Sequence, residues 1–221
     1  MATAKPQTAF LATSAGAAGY TVTAGLGTGG CGNVKELILE CISTGTCGID
    51  VYAVPVSGTP TASNQILKAL SIGSNTTLRL PFNTMLEPSA KLWFVGQSDN
   101  HIKVLVSALE FGPPTILVPQ TPGLLQATAN TFYTATVNTV GNPKEIILCN
   151  TTFVARTVTL YFVPPGGSIT STTSVMTTVS MAACETLALP FNTYLAAGGT
   201  IQALADSANA VSMRVSACEY L

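Results

Sequence analysis

The chain has 221 residues, a formal net charge of −1 and only 9% charged residues, whereas about 25% is usual for a soluble domain. Its nine basic residues are scattered singly, which excludes the basic patch that nucleic acid requires, and no apolar run reaches the roughly 18 residues of a membrane-spanning helix. A chain so poor in charge is typical of an obligate assembly whose partners cover much of the surface, or of a β domain with a neutral surface.

The N-terminal segment precedes the first predicted strand. Residues 1–19 are rich in Ala, Gly and Thr, carry a single charge at Lys5 and lack the compact apolar core of a secretory signal. We interpret them as an extended arm. Such an arm either lies across a neighbouring subunit or is a disordered terminus, and the sequence leaves both readings open.

Short strands are predicted along the rest of the chain, with almost no helix. β-branched residues are enriched and turn residues recur about every ten positions, which is the pattern of strands. Six to seven strands in about a hundred residues favour an antiparallel β-sandwich, either immunoglobulin-like or jelly-roll-like, without fixing the strand order. The predicted strands are 20–24, 34–42, 47–55, 65–71, 76–80, 91–96 and 101–110, then 133–137, 143–150, 157–163, 174–180, 185–189, 200–205 and 210–219.

The chain contains an internal duplication. Residues 33–111 align with 142–220 at a constant offset of 109 without a gap, and 25 of the 79 aligned positions are identical. Upstream, 20–23 matches 133–136 at an offset of 113, so the first copy carries four extra residues in its Gly-rich loop. We therefore predict an all-β chain of two tandem β-sandwich domains. The predicted parts are an arm (1–19), the first domain (20–111), a semi-rigid Pro-rich linker (112–123) and the second domain (124–221).

A Pro-Phe-Asn run is retained in both copies and follows a predicted strand. Proline cannot donate a ladder hydrogen bond, and asparagine suits a turn. We interpret the run as a structural corner rather than a ligand site. It consists of Pro81, Phe82 and Asn83 in the first copy and of Pro190, Phe191 and Asn192 in the second.

The final predicted strand of each copy retains a glutamate, Glu110 and Glu219. Such a recurrent carboxylate is expected either to accept hydrogen bonds from neighbouring strands or to pair with a lysine, Lys35 in the first copy and Lys144 in the second. Of these readings, the structural ion pair is the simpler one.

Two of the six cysteines flank a predicted hairpin turn. Cys41 and Cys47 are both replaced in the second copy, by Asn150 and Arg156. Joint presence and joint absence indicate a disulfide, although two unbonded, buried cysteines would give the same pattern. No Cys/His cluster has zinc spacing, so we expect no metal site.

Catalytic chemistry finds little support. His101 is the only histidine and corresponds to Ala210 in the second copy, so a duplicated hydrolytic dyad is excluded, and a single site would depend on His101 beside Asp99. The acidic residues are dispersed, and no pair is placed for glycoside hydrolysis. We expect no enzyme activity and no cofactor.

Three runs of the second copy carry a resemblance. Residues 145–152 (EIILCNTT), 157–168 (TVTLYFVPPGGS) and 200–205 (TIQALA) resemble a small β-sandwich module of tailed-bacteriophage virion proteins, and the first copy is similar to it more loosely. The resemblance implies a non-enzymatic particle component, such as a capsid decoration (cement) protein or a neck, tail or fibre part. It implies synthesis in a host cytoplasm and a place in the virion, and it carries over no catalytic residues.

The predicted function is therefore capsid decoration, with the chain bound to the outer capsid surface and stabilising the particle. Its expected partners are the major capsid protein or other virion proteins, and copies of itself in a closed oligomer, for which we take a trimer. The candidate contact elements are residues 2–19, 25–32 and 113–122. The alternatives are a neck, tail or fibre component and a carbohydrate-binding adhesive module, whose aromatic platform would be Trp93, the single tryptophan.

Overall fold

The computed structural model describes residues 2–5, 10–24, 31–99, 101–111, 116–119, 122–191 and 193–220. The chain divides into two compact units: Met1–Thr61 with Gln65–Pro114 form the first, and Ala62–Asn64 with Thr115–Leu221 the second. Apart from one 3-10 turn, Ala62–Asn64, the regular structure of the described residues is strand throughout.

Among the described residues, nine strands belong to the first unit and nine to the second. The first unit contains β1 (Ala2–Lys5), β2 (Phe10–Ala12), β3 (Ala17–Thr21), β4 (Cys31–Cys41), β5 (Cys47–Val54), β6 (Gln65–Ile72), β7 (Thr77–Leu86), β8 (Lys91–Gly96) and β9 (Ile102–Phe111). The second unit contains β10 (Ile116–Pro119), β11 (Gly123–Leu124), β12 (Asn130–Thr134), β13 (Val140–Asn150), β14 (Arg156–Val163), β15 (Ser174–Met181), β16 (Thr186–Pro190), β17 (Thr200–Ala205) and β18 (Val211–Tyr220).

Each unit is built from two antiparallel sheets with the same strand order. In the first unit β1 and β2 both pair with β9 in a sheet of order β1-β9-β4-β7, and the other sheet has the order β3-β8-β5-β6. The second unit repeats this as β10-β18-β13-β16, with β11 also on β18, and β12-β17-β14-β15. Counting β1 and β2 as one interrupted strand, eight strands in two sheets with non-consecutive neighbours form a jelly roll. The predicted all-β fold of tandem antiparallel sandwiches is confirmed, and the strand order selects jelly-roll over immunoglobulin-like.

The predicted arm and linker contribute equivalent strands. Thr3 of β1 lies opposite Glu110 on β9, and Ile116 of β10 lies opposite Glu219 on β18. β2 and β11 repeat further along the same two strands. The segments that we interpreted as an arm and a linker thus contain the first strand of each sandwich, because the duplication extends upstream of position 20. Of the Gly-rich loop, residues 25–30 lie outside the described part, and 31–32 begin β4.

The cores follow from a period of two along the strands. β8 and β17 each alternate half-buried and buried residues over their six positions, as expected when one face of each sheet is covered by the other sheet. In the second unit the inward side chains form one apolar cluster that includes Tyr133, Leu160 and Ile201. The duplicated apolar pattern therefore gives each unit buried apolar residues of its own.

A bulge interrupts the same edge strand in each unit. Ala69 in β6 and Thr178 in β15 have positive φ angles of 46° and 53°, and the register shifts beside both. The amide of Ala69 donates to Asp50 Oδ1 at 2.6 Å, and that of Thr178 donates to Thr159 Oγ1 at 3.3 Å. Bulges of this kind hinder edge-to-edge pairing with other chains.

Candidate interaction surface

A buried glutamate in the last strand of the second unit anchors the corner that follows β12. Glu219 Oε1 accepts hydrogen bonds from the Tyr133 hydroxyl at 2.8 Å and the Thr136 amide at 3.0 Å, and its Oε2 accepts one from Thr139 Oγ1 at 3.0 Å. The side chain is almost fully buried. These three hydrogen bonds offset the free energy that burying a charged carboxylate would otherwise cost.

The first unit repeats this anchor. Glu110 Oε1 accepts from the Tyr20 hydroxyl at 3.2 Å and from the Thr23 amide at 3.0 Å. Lys35, the partner expected for an ion pair, donates its Nζ to Asn83 Oδ1 at 2.7 Å instead. The recurrent glutamates are thus hydrogen-bond anchors of the scaffold.

Burial and the neighbouring glutamate raise the pKa of both tyrosines. For Tyr133 the main cause is desolvation, followed by the hydrogen bond to Glu219. For Tyr20 it is desolvation, followed by the charge of Glu110. Both hydroxyls therefore stay protonated far above neutral pH and act as donors.

The residues predicted to form a corner lie differently in the two copies. β7 does not end at Pro81 but continues through Phe82 and Asn83 to Leu86, because β7 is an edge strand, where a missing amide hydrogen is tolerated. Opposite it, β4 bulges between Val34 and Glu36. Asn83 Oδ1 also accepts from Asn33 Nδ2 at 3.0 Å, so this asparagine holds the bulge.

In the second copy β16 ends at Pro190. The amide of Phe191 donates to the carbonyl of Lys144 at 3.0 Å, and its ring lies 5.2 Å from that of Phe162. Asn192 lies outside the described residues. The structural-corner role of the two runs stays a prediction.

The two cysteines that the sequence predicts to pair flank the loop between β4 and β5. The Cα atoms of Cys41 and Cys47 are 6.0 Å apart and their sulfur atoms are in bonding contact, within the range of Cα separations found in disulfides. The amide of Ile42 donates to the carbonyl of His101, and that of Asn75 donates to the carbonyl of Ser43. The cysteine pairing stays a prediction, which this geometry supports.

The matching loop between β13 and β14 has the same length, but it is held by the side chain of Asn150, which we call its brace. The fully buried Asn150 donates from Nδ2 to the carbonyls of Val154 at 2.8 Å and Ala182 at 2.7 Å. Its Oδ1 accepts from the amide of Thr152 at 3.0 Å and from the hydroxyl of that residue at 2.8 Å. Four hydrogen bonds from one side chain therefore fix this loop where the first copy has Cys41.

This braced loop presents an apolar tip. Phe153 is 77% exposed and Val154 58% exposed. The aligned residues in the first copy are Thr44 and Gly45, so the shared fold does not require large apolar side chains here. We call Phe153 and Val154 the apolar tip; sequence inspection missed it, although this replacement in the alignment was a visible signal.

Three further loops of the second unit lie at the same end as the loop that carries the apolar tip, two of them bonded to it and the third bonded to the start of β18. The amide of Thr151 donates to Ala210, that of Cys184 donates to Thr152, and that of Leu125 donates to Val211. Among the four loops the only charged side chains are Glu185 and Asp206. We call these four loops the second loop end; they are residues 125–129, 151–155, 182–185 and 206–210.

A hollow lies on the outward face of the first unit's β4 and β9. It has a volume of about 180 Å³ and is lined by Ile38, Glu40, Lys103 and Leu105. Ile38 lies opposite Leu105, and Glu40 lies opposite Lys103, with 3.5 Å between Lys103 Nζ and Glu40 Oε2. This sheet hollow is therefore an apolar depression beside one half-exposed ion pair.

The described residues contain no group of three or more His, Cys, Asp or Glu side chains that could hold a metal ion. Asp99 accepts a hydrogen bond from the amide of Ser14, which holds the pKa of that carboxyl below its ordinary value. Asp99 thus ties two loops together, and His101 is exposed. In the described part of the chain, no helix is long and apolar enough to cross a membrane.

Trp93, the aromatic residue considered for a sugar platform, is half-buried on β8. Its cross-strand neighbour on β5 is Tyr52. A side chain at Gly16, whose φ is +78°, would collide with the indole ring, so that glycine permits the chain to cover the ring edge. Trp93 and Tyr52 are thus cross-strand neighbours. In the second copy Gln202 stands in place of the tryptophan.

No protein-family model matches the chain, and no curated protein matches it. Among solved structures, a chain of Sulfolobus turreted icosahedral virus is similar over 96% of this chain and 59% of its own length, with 10% identity and a TM-score of 0.28. A chain of infectious bursal disease virus strain Gx is similar over 98% and 73%, with 12% identity and a TM-score of 0.31.

The tandem CBM22-1–CBM22-2 domain of Paenibacillus barcinonensis Xyn10C is similar over 99% of this chain and 92% of its own, with 7% identity and a TM-score of 0.25. The chain spans 59% of the length of the archaeal virus chain. Identities and TM-scores this low assign the chain to no family, so the resemblance to phage modules stays a prediction.

Proposed function

We propose that the chain is a non-enzymatic structural protein of a virion, and more specifically a capsid decoration protein that binds the outer capsid surface and stabilises the particle. Its partners in this proposal are the major capsid protein or other virion proteins, together with further copies of itself. It would be made in the host cytoplasm and end in the virion.

One observation carries the proposal: the two copies keep the same scaffold, while their loops have diverged in surface chemistry. The buried anchors Glu110 and Glu219 are retained, and the loop braced by Asn150 acquired an exposed Phe153 where the first copy has Thr44. A retained scaffold with altered exposed loops is how binding proteins diversify on rigid sandwiches. The low charge and the phage resemblance support the same role.

The contact elements expected from the sequence require revision. Residues 2–5 and 10–12 pair with β9, and residues 116–119 and 123–124 pair with β18. These backbones are engaged within their own units, so the arm and the linker are not separate docking segments in this proposal. The contact surface is sought on exposed loops and sheet faces.

The test is to purify particles from cells that produce the chain, with and without its gene. We expect the chain to sediment with the particles at a fixed stoichiometry of many copies, and the particles that lack it to release their genome at a lower temperature. Absence of the chain from purified particles would refute the proposal. A few copies per particle, seen by electron microscopy at one vertex, would favour the neck, tail or fibre alternative.

A carbohydrate-binding adhesive module is the second candidate, and the cross-strand pair of Trp93 and Tyr52 favours it. Aromatic rings beside polar groups are suited to the apolar faces of sugars. A glycan array tests this candidate: specific binding that is lost in Trp93→Ala would support adhesion, and silence of the wild-type chain on the array would eliminate it.

A further inference from the structure

In the second unit, a short turn packs on the outward face of one sheet. The 3-10 turn Ala62–Asn64 belongs to that unit, and it contacts β11 and β18. Alternate residues of β18 belong to the apolar core cluster, so Ser212, Arg214 and Ser216 lie on the outward side of the strand. Each of these three residues is at most 5% exposed. The outward face of this sheet is therefore covered.

The aligned face of the first unit is open. The positions that match those three residues are Lys103, Leu105 and Ser107, of which the first is exposed and the other two are half-buried. Leu11 of β2 lies opposite Lys103 and is 40% exposed, whereas its counterpart on β11, Leu124, is half-buried. We call Leu11, Lys103, Leu105 and Ser107 the open face.

The second copy has its own version of the turn, and this version is exposed. Residues 171–173, which we call the exposed turn, align with Ala62–Asn64 at the offset of 109. Both turns directly precede an edge strand, β6 in one copy and β15 in the other. The amide of Thr173 donates to the carbonyl of Thr170 at 3.2 Å, which closes the exposed turn. All residues from 164 to 172 are exposed, so this turn covers no sheet within the described part of the chain.

We propose that the exposed turn of one chain packs on the open face of a second copy of the same chain, as the turn Ala62–Asn64 packs on β11 and β18. The duplication identifies the occupant, because each copy supplies one turn and one face, and one turn and one face remain uncovered. The contact joins two different surfaces and is therefore heterologous: repeated from chain to chain, it closes into a ring or continues as a filament. It rests on the self-association included in the proposed function and identifies the surfaces that form it.

The chemistry of the two surfaces permits this contact. Residues 164–173 contain no charged side chain, so the exposed turn brings no charge that would need a partner once it is buried. Lys103 keeps its ion pair with Glu40, at 3.5 Å, because a lysine covers apolar surface with its stem while its ammonium group stays in water. Leu11 and Leu105 supply apolar area that the contact removes from water.

The test places one charge on either side of the contact. Thr172→Glu alters the exposed turn, and Leu11→Glu alters the open face. Thr172 is exposed and Leu11 lies opposite Lys103, so both variants should fold. We expect wild type to exceed the 22.7 kDa monomer mass in light scattering. Each variant should show a dissociation constant at least about tenfold higher, because the contact would remove the new charge from water. Val137→Glu adds the same charge at another exposed apolar position and should leave the mass as in wild type.

Mixing the two variants separates this heterologous contact from any other. The Thr172→Glu chain keeps its open face and the Leu11→Glu chain keeps its exposed turn, so the mixture should form a one-to-one dimer and nothing larger. A mixture that stays monomeric, variants that associate as wild type does, or a wild-type chain that is monomeric at high concentration would each overturn the contact. Circular dichroism of each variant verifies the fold. Sedimentation of the variants with particles tests the proposed function independently, because particle binding can persist when self-association is lost.

Discussion

Replacing Tyr133 by Phe removes one hydrogen bond from the buried carboxylate of Glu219 and changes little else. The hydroxyl donates to Glu219 Oε1 at 2.8 Å and both side chains are nearly fully buried. A hydrogen bond to a charged group contributes about 1.5–3 kcal/mol. Glu219 keeps its donors Thr136 and Thr139, so we expect a loss of about 2 kcal/mol in the free energy of unfolding and a fall of roughly 10 °C in Tm for a unit of this size.

The assay is thermal and urea unfolding followed by two probes. Far-UV circular dichroism reports both units, and tryptophan fluorescence reports the first unit, which contains the single Trp93. Tyr161→Phe is the matched control, because its side chain is only half-buried in β14, and we expect a change within about 0.5 kcal/mol. Tyr20→Phe, whose bond to Glu110 is longer at 3.2 Å, should cost less than Tyr133→Phe. Equal stabilities of Tyr133→Phe and Tyr161→Phe would refute the anchor reasoning.

The same tyrosines predict how stability responds to alkali. The pKa of Tyr133 and that of Tyr20 are raised in the folded chain, so between the unfolded value of about 10 and the higher folded value the native state binds more protons than the unfolded state. Their contribution is fully present below pH 10 and is lost as the pH rises above it. The double Tyr→Phe variant should therefore lose less stability than wild type between pH 9 and pH 11, in urea titrations at each pH; parallel losses would contradict this.

Three further predictions follow from the scaffold. Thr178→Gly should stabilise the second unit by up to about 1 kcal/mol in urea unfolding. A β-branched residue at φ 53° is strained, and relief of that strain exceeds the entropy cost of a glycine in the unfolded chain. The same change at the adjacent Thr177 should destabilise the unit. Replacing Cys41 and Cys47 together by Ala should cost the first unit about 2 kcal/mol, the value for closing so short a loop, and intact mass of the wild type should show two hydrogens missing; a full-mass chain would exclude the bridge. Deleting residues 1–12 should lower the stability of the first unit in the fluorescence assay, because β1 and β2 complete its sheet, and an unchanged transition would mean that those strands contribute nothing.

The sequence predicted the strands well where one duplicated pattern could be read twice. Strand periodicity and the alignment at an offset of 109 located β4 to β9 and β13 to β18. Strand order was out of reach, because it depends on which strands pair across the sheet and not on local propensity. The first strand of each unit was missed although residues 6–8 recur as 119–121 (Pro-Gln-Thr) at the offset of 113; four inserted residues in the Gly-rich loop hid the longer alignment.

The candidate surface was less predictable than the fold. The pairing of Cys41 with Cys47, predicted from their joint replacement, stays a prediction. The second copy has Asn150 in place of Cys41, and its hydrogen bonds become visible only when the carbonyls of Val154 and Ala182 are in place. The tip residue Phe153 looked like any apolar residue of a strand-rich chain. Its exposure depends on the loop conformation, which no periodicity encodes.

The two matching loops show that one loop conformation can be held by different residues in the two copies. The loop flanked by Cys41 and Cys47 and the loop held by Asn150 have equal lengths and matching backbone hydrogen bonds. The same loop geometry therefore forms with Cys41 or with Asn150 at its first position, while the residues between, such as Phe153, differ between the two copies. A foreign peptide of the same length is therefore best displayed in this loop. A cysteine pair at the loop ends suits oxidising surroundings, and the asparagine suits reducing ones.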